Sequence, residues 1–262
     1  MTSRKLGLVL SGGGTRGIAH IGVLKALSTM PLSFAAIAGC SIGAIVGAGY
    51  AAGKSIEDIE RFALSQKMVD LFQWPISKLG LTKLEKFEKR YYAFIGASTF
   101  EQLKIPLAVN ATNLTTGQSV IWRTGPLQPA IRASMAVPGI IAPIKNDDGL
   151  YVDGGVLDQH PFSNLPPEVD HFIISNASGI EHLQPSKKIN LIDVLRTALN
   201  LMENEITDLR LARLAPSQFV MIVPELTGHS VITLGKSFAH LIEHGESATR
   251  EKSEQILKLI QA

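Results

Sequence analysis

The chain is 262 residues long, with 25 Lys+Arg against 23 Asp+Glu, a formal net charge of +2 and a single cysteine. That length suffices for one large core or two small ones, and the balanced charge leaves no electrostatic footprint for nucleic acid. Charged residues are 18% of the chain against a usual ~25%, which excludes disorder, and Cys40 alone excludes an internal disulfide or a Cys-based zinc site.

In chain order, Leu6–Leu10 reads as a buried strand, followed by a glycine-rich loop and a helix over Ile18–Leu27. Phe34–Gly53 lies within an uncharged run from Ala26 to Gly53 and is nominally long enough to cross a bilayer. Ala and Gly, however, stand where lipid-facing Leu and Phe belong. The better parse is a strand at Phe34–Gly39, a tight turn, and a buried helix over Ile42–Ala52 that reaches only ~16 Å, half a hydrocarbon core. Ser55–Ser65 reads as a helix capped by Ser55. Leu71–Ile76 places two aromatics ahead of an amphipathic helix over Thr82–Ile95, which sets Leu84, Phe87, Tyr91 and Phe94 on one face. This unit reads as a core-facing helix by default, with a lid or interfacial anchor as the alternative.

Strands follow at Pro106–Asn113 and Ser119–Arg123, then a short helix at Pro129–Met135, a turn at Asn146–Gly149 and the segment Leu150–Asp153. His171–Asn176 and Phe219–Val223 are β-rich, Leu191–Leu214 is a long helix, and Ser237–Ile260 a closing one. This alternation predicts an α/β layered sheet in one domain, without repeats or linkers. The apolar run after Arg4 and Lys5 is too short for a signal peptide, so a cytoplasmic protein without a transmembrane span is expected.

Four segments carry candidate chemistry. Gly12, Gly14 and Gly17 satisfy the dinucleotide-binding pattern between a strand and a helix, but that fold requires an acid about 20 residues on to hold a ribose. No Asp or Glu precedes Glu57. What remains is a run of bare backbone N–H groups at a helix start, suited to a developing anion. Gly39-Cys40-Ser41-Ile42-Gly43 matches the G-x-S-x-G elbow, in which a sharp strand-to-helix turn lifts a serine hydroxyl above a sheet. Cys40 beside it is read as a buried, inert thiol. Asp153-Gly154-Gly155 at a strand end lets a carboxylate approach another backbone closely, or is simply a turn. His240-Leu241-Ile242-Glu243-His244 matches an inverted zinc-protease pattern, yet no third ligand follows off the same helix, so surface histidines are the default.

In this order and spacing, Gly12–Gly17, Gly39–Gly43 and Asp153–Gly155, with Ala133–Gly139 ahead of the Asp, resemble the patatin-like phospholipase family, in particular its compact bacterial members. The resemblance covers about Leu6 to Pro161. It implies a three-layer α/β/α fold with a mostly parallel central sheet, the motif-bearing part at 6–161 and the sheet completed by 162–262. It also implies a Ser-Asp dyad with Ser41 as nucleophile and Asp153 as base. The N–H groups of Gly13 and Gly14, with Arg16, would form the oxyanion hole, and Gly12, Gly17, Gly39, Gly43, Gly154 and Gly155 are the motif glycines. His160 and His20 are the candidates for a third member should the site be a Ser-His-Asp triad instead.

An ordinary Asp, with a pKa of ~3.9, is a poor base, so burial should raise it and the glycine loop should carry much of the transition-state stabilisation. The expected substrate is a lipid or other acyl ester, with room for peripheral membrane contact and no call for a metal or organic cofactor. Two other functions stand beside this one: a nucleotide-binding oxidoreductase using the glycine loop, and a non-catalytic lipid-binding module.

Overall fold

The computed structural model describes residues 5–65, 81–180, 189, 191–226, 229 and 237–261. Among them, eight strands form a single sheet: β1 (Leu6–Leu10), β2 (Phe34–Gly39), β3 (Leu107–Asn113), β4 (Gln118–Trp122), β5 (Ile144–Asn146), β6 (Gly149–Asp153), β7 (His171–Ser175) and β8 (Phe219–Ile222). Their order is β5-β6-β3-β2-β1-β7-β8, with β4 paired to β3 off that path. From β3 through β2, β1 and β7 to β8 every pairing is parallel, whereas β4, β5 and β6 add antiparallel pairs. The helices are α1 (Ala19–Leu27), α2 (Ile42–Ala51), α3 (Ile56–Leu64), α4 (Leu81–Ile95), α5 (Leu127–Ser134), α6 (Gly155–Asp158), α7 (Leu191–Leu211), α8 (Phe238–Glu251) and α9 (Ser253–Gln261).

The parallel strands are apolar on both sides, as parallel strands covered on both faces must be. Leu8, Leu10, Ile37 and Ile173 enter one core with α1, α2 and α8. Val9, Ala36, Ala38 and Ile174 alternate to the other face, under Leu165, Val169, Leu211 at the end of α7 and Leu214 just beyond it. After a largely exposed turn at residues 28–33, the uncharged run is therefore sheet and core: β2 and α2 are buried along nearly their whole length. No helix among the described residues is long and apolar enough to cross a membrane.

Ser55 caps α3 as its sequence predicts, accepting the Asp58 N–H at 3.1 Å. The described part of α4 faces inward. Phe87 and Tyr91 are buried, Phe94 stacks on Phe62, and the Tyr91 hydroxyl donates to the Ile45 carbonyl. The lid alternative also named Leu71–Ile76, which lies outside the described residues. One prediction needs correcting: the closing helix is two. α8 ends at Glu251, the N–H of Lys252 after it turns back to the Thr249 carbonyl in a tight i→i−3 bond, and a new helix starts at Ser253.

One feature of the sheet sets two strand ends face to face. On one edge of β3, Leu107 to Val109 pair with β2, and beyond them Ala111 to Asn113 pair with β6; β4 occupies the opposite edge. β2 runs parallel and β6 antiparallel to β3, so they approach head-on. Gly39 ends β2 opposite Val109, and Asp153 ends β6 opposite Ala111, two residues further along.

Candidate active site

Ser41 occupies the turn between β2 and α2 at φ 53° and ψ −122°, and it is the only non-glycine residue with positive φ among those described. Such a backbone costs of order 1–3 kcal/mol and persists only where its surroundings impose it. Three bonds do so: the Cys40 N–H to the Leu10 carbonyl, the Gly43 N–H to the Cys40 carbonyl, and the Ser41 N–H to the Ser134 hydroxyl oxygen at 2.8 Å. Gly43 is required by close approach, since a Cβ there would collide with the Leu10 carbonyl oxygen. Gly39 abuts the Gly43 and Ala44 backbone in the same turn.

Asp153 lies across the gap. It accepts the Ser41 hydroxyl and the Gly155 N–H, the latter at 2.8 Å, and the Cys40 thiol approaches it at 3.6 Å. Burial raises its pKa to about 6, against the opposing pull of those hydrogen bonds. Burial first, and then the Asp153 charge, push the Cys40 thiol well up, so it is a packed neutral group and not a rival nucleophile. Gly154 backs onto Asn110, whose amide donates to the Asp158 carbonyl at 2.8 Å, and Gly155 backs onto Gln159.

The glycine loop follows β1, the strand beside β2. Gly12 donates to the Gln159 carbonyl at 3.3 Å, Gly13 and Gly14 take φ values of 148° and 59°, and a short 3-10 turn over Gly14–Ile18 leads into α1. Gly13 packs directly on the Ala177 carbonyl, and Gly17 against Ile42 of the elbow helix. Arg16 is buried, its guanidinium alongside Gly179. The loop and the elbow thus rise from adjacent strands at the carboxyl edge of the sheet, where β1 is flanked by β2 and β7 and the chain winds both ways; such a switch point is where open α/β sheets form their crevices.

The two candidate histidines are placed elsewhere. His20 donates from Nε2 to the Ser11 carbonyl and accepts the Ser175 hydroxyl at Nδ1, at 2.9 and 2.7 Å. Thr207 gives its proton to the Glu203 carbonyl, so His160 Nδ1 donates to the Thr207 oxygen at 3.0 Å. Burial lowers both imidazoles to about 4. Neither ring is hydrogen-bonded to Ser41 or Asp153 among the described residues. His244 contacts the His229 ring edge-on, and no group of three potential ligands suited to a metal occurs among the described residues.

The segment Ala133–Gly139 carries no role that its sequence alone discloses. Its Ser134 holds the Ser41 N–H, and the Ala136 carbonyl accepts the Asp153 N–H at 2.9 Å. One short segment therefore grips both members of the pair. The signal available in sequence was only a small-residue stretch after a helix.

An elbow serine, a buried carboxylate and a glycine loop at the switch point of an α/β sheet define the class. Residues 8–165 match the model of the patatin-like phospholipase family, and the chain belongs to that family. An uncharacterized NTE family protein of Mycobacterium tuberculosis is 41% identical over 167 residues, covering 63% of this chain and 46% of that one. The lysophospholipase NTE1 of Cryptococcus neoformans is 31% identical over 194 residues, 71% of this chain and 12% of that one. The chain thus spans less than half the length of these relatives. Among solved structures, VipD from Legionella pneumophila superposes with a TM-score of 0.53 at 17% identity, covering 98% of this chain and 67% of that one. ExoU in its complex with SpcU from Pseudomonas aeruginosa gives 0.50, also at 17% identity, covering 99% and 53%. Both share the fold.

Proposed function

We propose that this chain is a serine acyl hydrolase that cleaves carboxylic esters of lipids through a Ser41-Asp153 dyad. The observation that carries the reading is the Ser41 hydroxyl, held on a strained elbow and hydrogen-bonded to a buried carboxylate whose pKa is raised toward the working range of a base. Family membership and the lysophospholipase relative support lipid esters as the substrate class. On this reading 1–262 is one hydrolase domain.

In the mechanism, Ser41 Oγ attacks the ester carbonyl while Asp153 takes its proton, forming a tetrahedral intermediate. The negative oxygen is received by the N–H groups of Gly13 and Gly14 and by the field of Arg16. Loss of one such donor typically costs ~2.7–4 kcal/mol of transition-state binding. Collapse expels the alcohol, which carries away the proton from Asp153 and leaves an acyl-Ser41 ester. Water then attacks this ester with Asp153 again as base, releasing the fatty acid. His20 and His160, both already engaged, keep the neighbouring loops in place.

A fluorophosphonate probe tests the proposal. Wild-type protein should be labelled and Ser41→Ala should not, and only wild type should release fatty acid from lysophospholipid. Labelling of Ser41→Ala at the wild-type rate would sink the assignment of the nucleophile.

A further inference from the structure

α7 turns its polar side to the protein. Thr197, Asn200 and Thr207 are buried, whereas Leu195, Met202 and Leu209 on the other side are exposed. Apolar burial alone would orient a surface helix the other way round, so specific polar contacts hold this one. Toward its end, Arg210 pairs with Asp158 at 2.7 Å and Thr207 meets His160 at 3.0 Å, which fastens α7 to the chain that follows Asp153. Nearer its middle, Asn200 and Asn204 both donate from Nδ2 to one backbone carbonyl, that of Gly179, at 3.1 and 3.3 Å. Asn204 Nδ2 also donates to the Asn200 carbonyl at 2.7 Å, which fixes the orientation of its amide. A single rigid helix thus grips both sides of the site, with Asn200 and Arg210 ~15 Å apart along its axis.

The side held by the two asparagines is the glycine loop. Residues 176–179 form a wall against that loop. The Ala177 carbonyl oxygen lies directly on Gly13, where no Cβ would fit, and the Ala177 N–H donates to the Ser11 hydroxyl oxygen at 2.8 Å. Ser11 in turn donates to the Gly12 carbonyl. Asn176 anchors the start of the wall, donating its N–H to the Ile222 carbonyl of β8 and accepting the Ser178 N–H and hydroxyl at its side-chain oxygen. Gly179 closes the wall at φ 58°, where a Cβ would stand 3.2 Å from Arg16 Nη1. The position of Gly179 therefore limits where the buried Arg16 guanidinium can lie, and the two amides set the position of Gly179. A carbonyl oxygen has two lone pairs, and α7 supplies a donor for each.

We infer that Asn200 and Asn204 are positioning residues for the oxyanion hole, acting through the Gly179 carbonyl to hold Arg16 and the Gly13 turn where negative charge develops. The inference rests on the hydrolase reading above. It places part of the machinery of the site outside residues 8–165, the span that matches the family model. Oxyanion donors work by being fixed before the charge forms, and a misplacement of about 1 Å can cost ~10²-fold in rate.

The test compares wild type, Asn200→Ala, Asn204→Ala, the double variant and Thr197→Ala, which trims a buried residue on the same face of α7 but keeps both bonds to Gly179. The end point of fluorophosphonate labelling counts functional sites, and kcat and KM for a soluble short-chain ester are measured per labelled site from pH 4 to 9. Each single variant should lose about two- to five-fold in kcat, because one amide still holds the carbonyl, and the double variant about thirty-fold, more than the product of the two. KM and the pH limb near 6 should stay in place, since the hydrogen bonds of Asp153 are untouched. The rate of labelling should fall with kcat, because the phosphonyl oxygen enters the same hole. Thr197→Ala should match wild type per labelled site whatever it loses in urea stability. Wild-type kcat per labelled site in both single variants overturns the inference, even if the double variant does not fold. So does a loss of kcat that comes with a displaced pH limb, which would put the action of the amides on Asp153. A wild type that takes no label on Ser41 removes the hydrolase reading and this inference together, whereas a labelled wild type with unaffected Asn variants removes the inference alone.

Discussion

Asp153→Asn separates catalysis from stability in a way that follows directly from the site. The substitution is isosteric. Its amide oxygen can still accept the Gly155 N–H, now held at 2.8 Å, and its NH2 can face the Ser41 hydroxyl. What it removes is a buried negative charge and the ability to take a proton. Losing a positioned general base typically lowers rate by ~10²–10⁴, so kcat should fall at least a hundred-fold. Stability should move the other way. Burial raises the carboxyl from 3.8 to about 6, and at 1.36 kcal/mol per pH unit this corresponds to about 3 kcal/mol against folding once the group is ionised. The native state holds the proton more tightly than the unfolded chain, so this penalty is absent below pH ~4, grows as pH rises to about 6, and is constant above it. Urea unfolding at pH 7.5 should therefore find Asp153→Asn more stable than wild type by up to ~3 kcal/mol, with the gap closing near pH 4. In wild type, kcat/KM should rise with pH through about 6 and level off above. Wild-type turnover in the Asn variant would refute the base role, and a less stable variant at pH 7.5 would refute the burial argument.

Three other substitutions or conditions probe the supporting structure. Ser134→Ala leaves the Ser41 N–H buried without its acceptor, an effect of ~1–3 kcal/mol; kcat should drop about ten-fold or more with KM little changed, and Ser134→Thr should restore part of it. Unchanged kcat in Ser134→Ala would show that the elbow does not depend on that bond. Gly43→Ala should destabilise by ~3 kcal/mol or prevent folding, because the new methyl meets the Leu10 backbone, while Gly117→Ala, at positive φ but in open space, should cost only about 1 kcal/mol in urea melts. His20 and His160 are neutral in the fold, with pKa lowered from 6.5 to about 4. The unfolded chain takes up protons first, so stability falls as pH drops from 6.5 toward 4, by about 3 kcal/mol per histidine. The two histidines together outweigh the opposing gains from Asp153 and from Asp158, whose carboxyl burial also raises, so urea midpoints should decline over this range, and a flat profile would contradict the buried-neutral assignment.

What could be read in the amino-acid sequence was local. The strand-turn-helix units around Gly12–Gly17 and Gly39–Gly43 depend on period, glycine chemistry and the absence of charge, all of which act between near neighbours along the chain. The low charge that first suggested a bilayer span turned out to belong to a sheet buried on both faces, because length, Ala and Gly content already disfavoured lipid. The placement of Asp153 beside Ser41 belongs to the tertiary structure. It depends on β2 and β6 sharing one edge of β3 from opposite directions, two separate long-range pairings that bring Ser41 and Asp153, more than a hundred positions apart, side by side. The roles of Ser134 and Ala136 were just as invisible, since their partners are chosen by where α5 ends and not by any pattern they carry. The orientation of α7 shows the same division. Its sequence contains both a polar and an apolar stripe, and only the waiting Gly179 carbonyl, His160 and Asp158 decide that the polar one turns inward, since buried polar groups must find partners and apolar ones have no such directional demand.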